Sequence, residues 1–479
     1  MERLRTSGDG VAAHRPSPAT RLIAGLLFPL HERLKGHDTV SILSSLEASQ
    51  WLAPDELQVL QSKRLSALLS KVARTVPFYR DLFQQRHLDP AEFVSLESLS
   101  RLPIIDKSII RTNTEKWTAD GERDLIAHQT SGSSGEPLHF MLSRHRISFD
   151  IAAKWRATRW WGVDFGDREV VLWGSSLESG RQDRIREFRD HLFRSRLIPS
   201  RDLTIGRIDA IITELREFRP KMLFGYPSAL ARVAFRAIET DQQMNDIGLQ
   251  VAFCTSEVLR PEWRAAIAAG FGCGVANEYG ARDAGFIARE CPAGGLHLSA
   301  EEVIVEVVSE DGTPLPPGVE GDILVTNLAG PEFPFIRYRT GDRGALSERR
   351  CNCGRGLPLI ESVSGRANDG LVSASGGWVH GSAVNHVLRE LPGLRAYRVT
   401  QSARDLVTIS LLLSAPLPTR SATRLTVHIR RLLGESVHVK IETVGEISPE
   451  ANGKFRHIVC LVDRPKQPIT APSVAGEAR

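Results

Sequence analysis

The sequence predicts an α/β protein: a large, multi-subdomain N-terminal part on a mainly parallel sheet, then a small α+β domain. Three observations carry this. First, short apolar runs alternate with apolar residues at helical spacing, as parallel strands joined by helices require. The runs are Val170–Trp173, Met222–Gly225 and Val251–Cys254; the helical set is Ile208, Ile211, Ile212, Leu215 and Phe218. Second, after residue 300 the runs Val303–Val308 and Ile323–Leu328 flank the turn-rich SEDGTPLPPGVEGD, a sign of antiparallel pairing. Third, a break at Gly365-Arg366 leaves enough chain for a further small domain.

The elements follow in order. Residues 1–18 carry no apolar period and read as a tail, and the segment 1–40 is set apart as variable. A helix is expected from Pro54 to Val76, with Asp55 and Glu56 in its first turn and Leu65, Leu68, Leu69 and Val72 on one face. The large domain spans 41–365 and a small mobile domain 366–463. The small domain should hold strands at Tyr397–Thr400, Leu406–Leu413 and 437–443, with a helix near 420–433. Residues 464–479, rich in Pro and Ala, read as a disordered tail.

Composition limits the partners. The 479 residues carry a formal charge of only +4 and no Lys/Arg block with interleaved aromatics, which argues against nucleic acid. No transmembrane segment is read: Leu22–Leu30 is too short to cross a bilayer and contains Pro29. Residues 20–35 leave a membrane-surface role open. Six cysteines, three of them grouped with a histidine, suggest a reducing, cytoplasmic setting rather than disulfides.

The most informative stretch is HQTSGSSGEP, residues 128–137. Thr130, Ser131, Ser133 and Ser134 supply hydroxyls. Gly132 and Gly135 let the backbone approach an anion closely. Such a turn can cradle phosphate oxygens, and it lacks the Gly-Lys-Ser/Thr ending of a Walker loop. A flexible polar turn is the plainer reading. Four further pieces follow in fixed order: Glu278–Asp283, Tyr338–Asp342, Gly365–Asp369 and Asn452-Gly453-Lys454.

Together these motifs resemble the adenylate-forming superfamily of acyl-CoA synthetases. The nearest branch is the phenylacetate–CoA ligase family, in particular its capsule-polysaccharide-biosynthesis members. Leu102–Lys107, Phe224–Ser228 and Thr255-Ser256-Glu257 add to that likeness. It runs from about residue 40 to 460. The resemblance implies an adenylate-forming large domain with a C-terminal lid. It also implies a two-step reaction: a carboxylic acid attacks the α-phosphorus of ATP, and a thiol then displaces AMP from the acyl-adenylate. Coenzyme A is the expected thiol, with an acyl carrier protein or a sugar as alternative acceptors. A non-catalytic scaffold is a further alternative, and a homodimer is allowed.

Residue by residue, the resemblance implies that Thr130–Gly135 hold phosphates and that Asp342 accepts from the ribose. Arg366 donates to ribose or phosphate. Tyr279 and Gly280 lie beside adenine, with Ser256 and Glu257 near the base. Lys454 is the catalytic candidate, on a loop that enters the large domain's cleft, and Asn368 stands at the hinge. Tyr226, Pro227 and Ser228 are candidate walls of the acid pocket. Asp283 is a weak candidate for magnesium, replacing the usual Glu and following Arg282 where a small hydroxyl is usual. The family's loop lysine is missing, since Leu138 follows Pro137.

One constellation is independent of the nucleotide. Cys291, His297, Cys351 and Cys353 make the Cys₃His set of a closed, structural zinc site. Core cysteines with a surface histidine, or a disulfide, are the other readings. Cys254, Cys273 and Cys460 read as small core residues.

Overall fold

The computed structural model describes residues 16–130, 137–173, 188–200, 203–366, 370–380, 384, 388, 391–449 and 455–462. The chain divides into two units, one reaching Gly365 and the other beginning at Arg366. Near the start of the first unit, strands β1 (Ile126–Gln129) and β2 (His139–Leu142) pair antiparallel. An eleven-stranded sheet follows. Its strands are β3 (Glu169–Trp173), β4 (Ser195–Pro199), β5 (Met222–Gly225), β6 (Val251–Thr255), β7 (Gly274–Ala281), β8 (Gly285–Glu290), β9 (Leu296–Leu298), β10 (Val303–Val308), β11 (Gly321–Asn327), β12 (Tyr338–Ser347) and β13 (Leu359–Arg366). Their spatial order is 10-11-12-13-9-8-7-6-5-3-4.

The parallel part matches the alternating text. Strands β4, β3, β5, β6 and β7 run parallel, and helices Ile205–Phe218, Pro227–Glu239 and Pro261–Phe271 connect them. β6 is buried along its whole length, as expected of a strand covered on both faces. The sheet is less parallel than the sequence implied. At residues 281–285 the chain turns back on itself, and β8 onward continue the same sheet antiparallel. The hairpin closes tightly: a Cβ on Gly280 would lie 2.9 Å from the Gly285 carbonyl oxygen.

The helix Pro54–Thr75 starts on a proline at its first turn, and the Ala53 N–H donates to the Glu56 carboxylate at 2.9 Å. It buries Leu57, Leu65, Leu68, Leu69 and Val72. Pro77 follows Val76 and starts the next helix, Pro77–Gln85, which accounts for the break between them. The segment before residue 40 is more ordered than a tail. Pro18–Leu22, a π-turn over Ile23–Leu27 and Phe28–Leu34 form a continuous helical run that buries Ile23 and Phe28.

A polar seam runs inside this unit. Helix Arg144–Arg159 sends two arginines, each 1 % exposed, to two adjacent glutamates with no exposed surface. Arg146 lies 3.3 Å from Glu302 and 3.2 Å from Asp150, and Arg156 lies 2.7 Å from Glu301. Ser49 donates to Glu301 at 2.6 Å.

In the second unit, β14 (Gly370–Val372) and β15 (Trp378–His380) form a hairpin. β16 (Leu394–Ala403), β17 (Leu406–Leu413), β18 (His438–Thr443) and β19 (Ile458–Cys460) form a sheet in the order 18-17-16-19. Helix Thr419–Leu433 buries Leu425, Ile429 and Leu433 in a core with Tyr397, Val399, Val407, Ile409 and Leu411. Among the described residues no helix is long and apolar enough to cross a membrane.

Gly285 tests the seam. Its φ is +104°, and a Cβ there would run into the Arg146 guanidinium and the Asn327 amide. Gly285→Ala is expected to lower the melting temperature by an amount corresponding to about 2–4 kcal/mol, read by thermal denaturation.

Candidate functional site

The parallel strands end in a row, and the candidate residues sit at those ends. Trp173 closes β3, Tyr226 follows β5, Ser256 follows β6, and Tyr279 and Gly280 lie near the end of β7. In open α/β sheets this carboxyl edge is where ligands bind. Ser256 takes a left-handed conformation, φ +68°, unusual for a residue other than glycine and often associated with function. Glu257 turns back to accept the Ser228 N–H at 3.1 Å, which occupies one of the free donors at the start of helix Pro227–Glu239. Tyr226 is buried and packs on Trp173, with ring centroids 4.4 Å apart. Tyr226, Pro227 and Ser228 thus form a packed corner with Ser256 and Glu257.

Tyr279 and Asp342 meet, although 63 residues separate them. The Tyr279 hydroxyl donates to the Asp342 carboxylate at 3.0 Å and lies 3.4 Å from Thr340 Oγ1. Thr340 Oγ1 in turn accepts the Asp342 N–H at 3.1 Å. Burial, followed by the Asp342 charge, holds the Tyr279 phenol well above its usual range, so it stays a neutral donor.

Beside this pair lies a second one that the sequence did not single out. Asp283 is buried; it accepts the Tyr338 hydroxyl at 2.6 Å and the Ala284 N–H at 3.1 Å. Lys107 Nζ stands 3.7 Å from Oδ2, the same oxygen that accepts the Tyr338 hydroxyl. A parallel bridge between Ile105 and Tyr338 brings Lys107 there, and Asp106 caps the short helix that Lys107 begins. The only signal for Lys107 was its place in the run Leu102–Lys107. The fit of Asp283 to magnesium is therefore poor: both oxygens already accept hydrogen bonds, and an ammonium balances the charge.

The chain is tied together across the two ends of the Ser/Gly stretch. Thr130 N–H donates to the Leu138 carbonyl at 3.0 Å, and Leu138 N–H donates to Thr130 Oγ1 at 2.9 Å. Leu138, standing where the family has lysine, is 1 % exposed and packs in the main core. The pairing with Leu138 takes up the Thr130 hydroxyl's accepting side and leaves its proton to donate. Ser131–Gly135, Asn368 and Lys454 lie outside the described residues, as does the side chain of Arg366; the backbone of Arg366 ends β13.

The cysteine cluster assembles as its spacing implied. One ligand atom from each of Cys291, His297, Cys351 and Cys353 lies within 4.8 Å of every other. Cys291 and Cys351 sulfurs are 3.5 Å apart, and Cys353 Sγ is 3.2 Å from His297 Nε2. Both separations are near the roughly 3.5–3.8 Å between ligands on a tetrahedral zinc. His297 Nδ1 faces the Leu357 carbonyl at 3.2 Å, which turns Nε2 towards the sulfurs. Gly295 leaves room for them: a Cβ there would lie 2.6 Å from Cys351 Sγ. The sulfurs are not bonded to one another. Cys254, by contrast, is fully buried in β6, and burial pushes its thiol far above the usual range.

Against known proteins, the fold is that of the adenylate-forming CoA ligases. A 2-hydroxyisobutyryl-CoA ligase, solved in the postadenylation state with an acyl-AMP, superposes with a TM-score of 0.69 at 20 % identity, covering 87 % of this chain and 91 % of that one. By sequence the relatives are phenylacetate–CoA ligases and CapK. The phenylacetate-coenzyme A ligase of Thermus thermophilus is 26 % identical over 71 % of this chain and 77 % of its own length. Protein CapK of Staphylococcus aureus is 22 % identical over 85 % and 89 % respectively. Residues 371–460 match the family model of the CapK C-terminal domain.

The Tyr279–Asp342 contact has a measurable strength. Tyr279→Phe is expected to leave the fold intact and to lower unfolding free energy by about 1 kcal/mol in a denaturant titration.

Proposed function

We propose that this protein is an AMP-forming acid–thiol ligase that makes an acyl-adenylate from a carboxylic acid and ATP and passes the acyl group to a thiol, coenzyme A. The contact between Tyr279 and Asp342 at the carboxyl edge of the sheet supports this reading most directly. It joins an aromatic ring for a base to a carboxylate for vicinal ribose hydroxyls. The relatives, phenylacetate-coenzyme A ligases among them, agree with it.

In the first step a carboxylate oxygen forms a bond to the α-phosphorus and pyrophosphate leaves with the bonding pair. Both reactants are anions, so the protein must supply donors and cations. Ser131–Gly135, between the paired residues Thr130 and Leu138, hold the departing phosphates. Lys454 and Arg366 supply the positive charge at the reacting oxygens. Lys107, with its charge shared by Asp283, adds a further cation. Ser256 and Glu257 border the base, while Tyr226, Pro227 and Ser228 form part of the acid's wall. Magnesium enters on the ATP phosphates. In the second step the thiolate attacks the acyl carbon and AMP departs.

A second reading changes only the acceptor. There the acyl group passes to a carrier protein or a sugar in place of coenzyme A. Comparing AMP release with free coenzyme A and with a phosphopantetheinylated carrier separates the two. Pyrophosphate exchange across aryl, fatty and hydroxy acids identifies the acid; no exchange with any would leave a nucleotide-binding scaffold. Lys454→Ala is expected to lower exchange by about two orders of magnitude while ATP affinity, measured by calorimetry, changes only a few-fold. Equal loss of both would remove Lys454 from the chemistry.

Zinc completes the proposal. Cys291, His297, Cys351 and Cys353 hold it with no position left for water, so it fastens residues 291–297 to 351–353 and takes no part in the reaction. Cys351→Ser is expected to lower bound zinc, measured by elemental analysis, and the melting temperature together.

A further inference from the structure

The helical run from Pro18 to Leu34 has two faces. The inner face is fixed: Thr20 donates to Asp167 at 2.7 Å, and Phe28 stacks on Phe165 with centroids 3.9 Å apart. The outer face carries Leu22, Leu26, Leu30 and Leu34, which are 52–79 % exposed. A four-residue step on an α-helix advances a stripe by about 40° per step. The π-turn at Ile23–Leu27, with its wider winding, offsets that drift and keeps the leucines in one band.

The band continues onto a second element. Phe193 meets His31 edge-on at 5.1 Å, which places the helical residues 188–192 beside the run. They expose Phe188 and Leu192. The exposed charges on the helical run itself have one sign; Asp190, between Phe188 and Leu192, is paired with Arg189, and Asp38, just beyond the run, contacts His145. Arg21, Arg33 and Lys35 are exposed, and Glu32, the one acidic residue between Ser17 and Lys35, is buried against His37 and Thr39.

We propose that this face docks on the surface of an anionic lipid bilayer, with the leucine band in the interfacial layer and Arg21, Arg33 and Lys35 at the headgroups. The run lies along the surface and does not span. Charge selects this occupant. A second copy of the chain would bring the same basic residues against each other, and Asp190, the part-exposed carboxylate beside Leu192, is already paired with Arg189; acidic headgroups complement those basic residues. The inference does not depend on the ligase chemistry.

Sedimentation of the full chain with phosphatidylglycerol/phosphatidylcholine vesicles tests it. The protein is expected to pellet with these vesicles and much less with phosphatidylcholine alone, and raising NaCl to about 0.5 M should release most of it. Leu26→Ser/Leu30→Ser should lower the bound fraction about tenfold with an unchanged melting temperature, because neither side chain packs inward. Arg21→Glu/Arg33→Glu should remove the preference for anionic vesicles. No binding to either vesicle, or binding untouched by both double variants, overturns the proposal. So does a dimer in sedimentation velocity that Leu26→Ser/Leu30→Ser dissolves in the absence of vesicle binding.

Discussion

Two neighbouring glutamates without any exposed surface, Glu301 and Glu302, anchor the larger unit. Each meets an arginine from the same helix, Arg156 and Arg146, and together they tie that helix to the point where β10 begins. A charge in such a place is costly unless it is matched, so the pairs tolerate little displacement. The remaining partners are equally fixed. Ser49 reaches Glu301 from a helix near the start of the chain, Arg64 donates to the Glu301 carbonyl, and Asn327 lies near Glu302 from the end of β11. Segments more than 250 residues apart in sequence are thereby set in one arrangement, and this gives the sheet its fixed edge.

That edge makes the site a product of register. Tyr279 and Asp342 come from β7 and β12, which are not neighbours in the sheet, and their contact depends on every strand between them keeping its place. The Cys/His cluster sits in this interval. Cys291 follows β8, His297 lies in β9, and the Cys351–Cys353 turn precedes β13. The cluster thus joins the flanks of three strands, β8, β9 and β13, that lie side by side in the middle of the sheet. Lys107 reaches the site by another route, through the bridge of Ile105 to Tyr338 and the donation of Arg337 to the Leu102 carbonyl at 2.7 Å.

Much of the fold was legible because its signals were local. The run Met222–Gly225 is a strand with those limits, and the helix foreseen at Pro54–Val76 ends one residue earlier, at Thr75. The Cys/His grouping was legible because ligand chemistry restricts which residues belong together. What was not legible is long-range. The sequence around 281–285 does not say that β8 continues the parallel sheet, because an antiparallel hairpin can equally start a new one. The pairing of Lys107 with Asp283 spans 176 positions, and neither residue's surroundings announce it. Asp283 read as a candidate for magnesium because nothing local reveals that it accepts the Tyr338 hydroxyl. The N-terminal run read as a tail because its buried partners, Phe165 and Asp167, lie more than 130 residues away.

The wide turn at Ile23–Leu27 gives that run a tolerance that its composition does not show. A π-turn holds about one residue more than an α-turn for nearly the same rotation. Losing one residue inside it would let it wind as ordinary α-helix and still leave Thr20 facing Asp167 and the upstream apolar side chains facing the groove that Gly166, lacking a side chain, keeps open. Losing one from the α-helical stretch after it would swing everything upstream by about 100°. Over evolutionary time, changes of length should be permitted at that one place in the run and purged beside it.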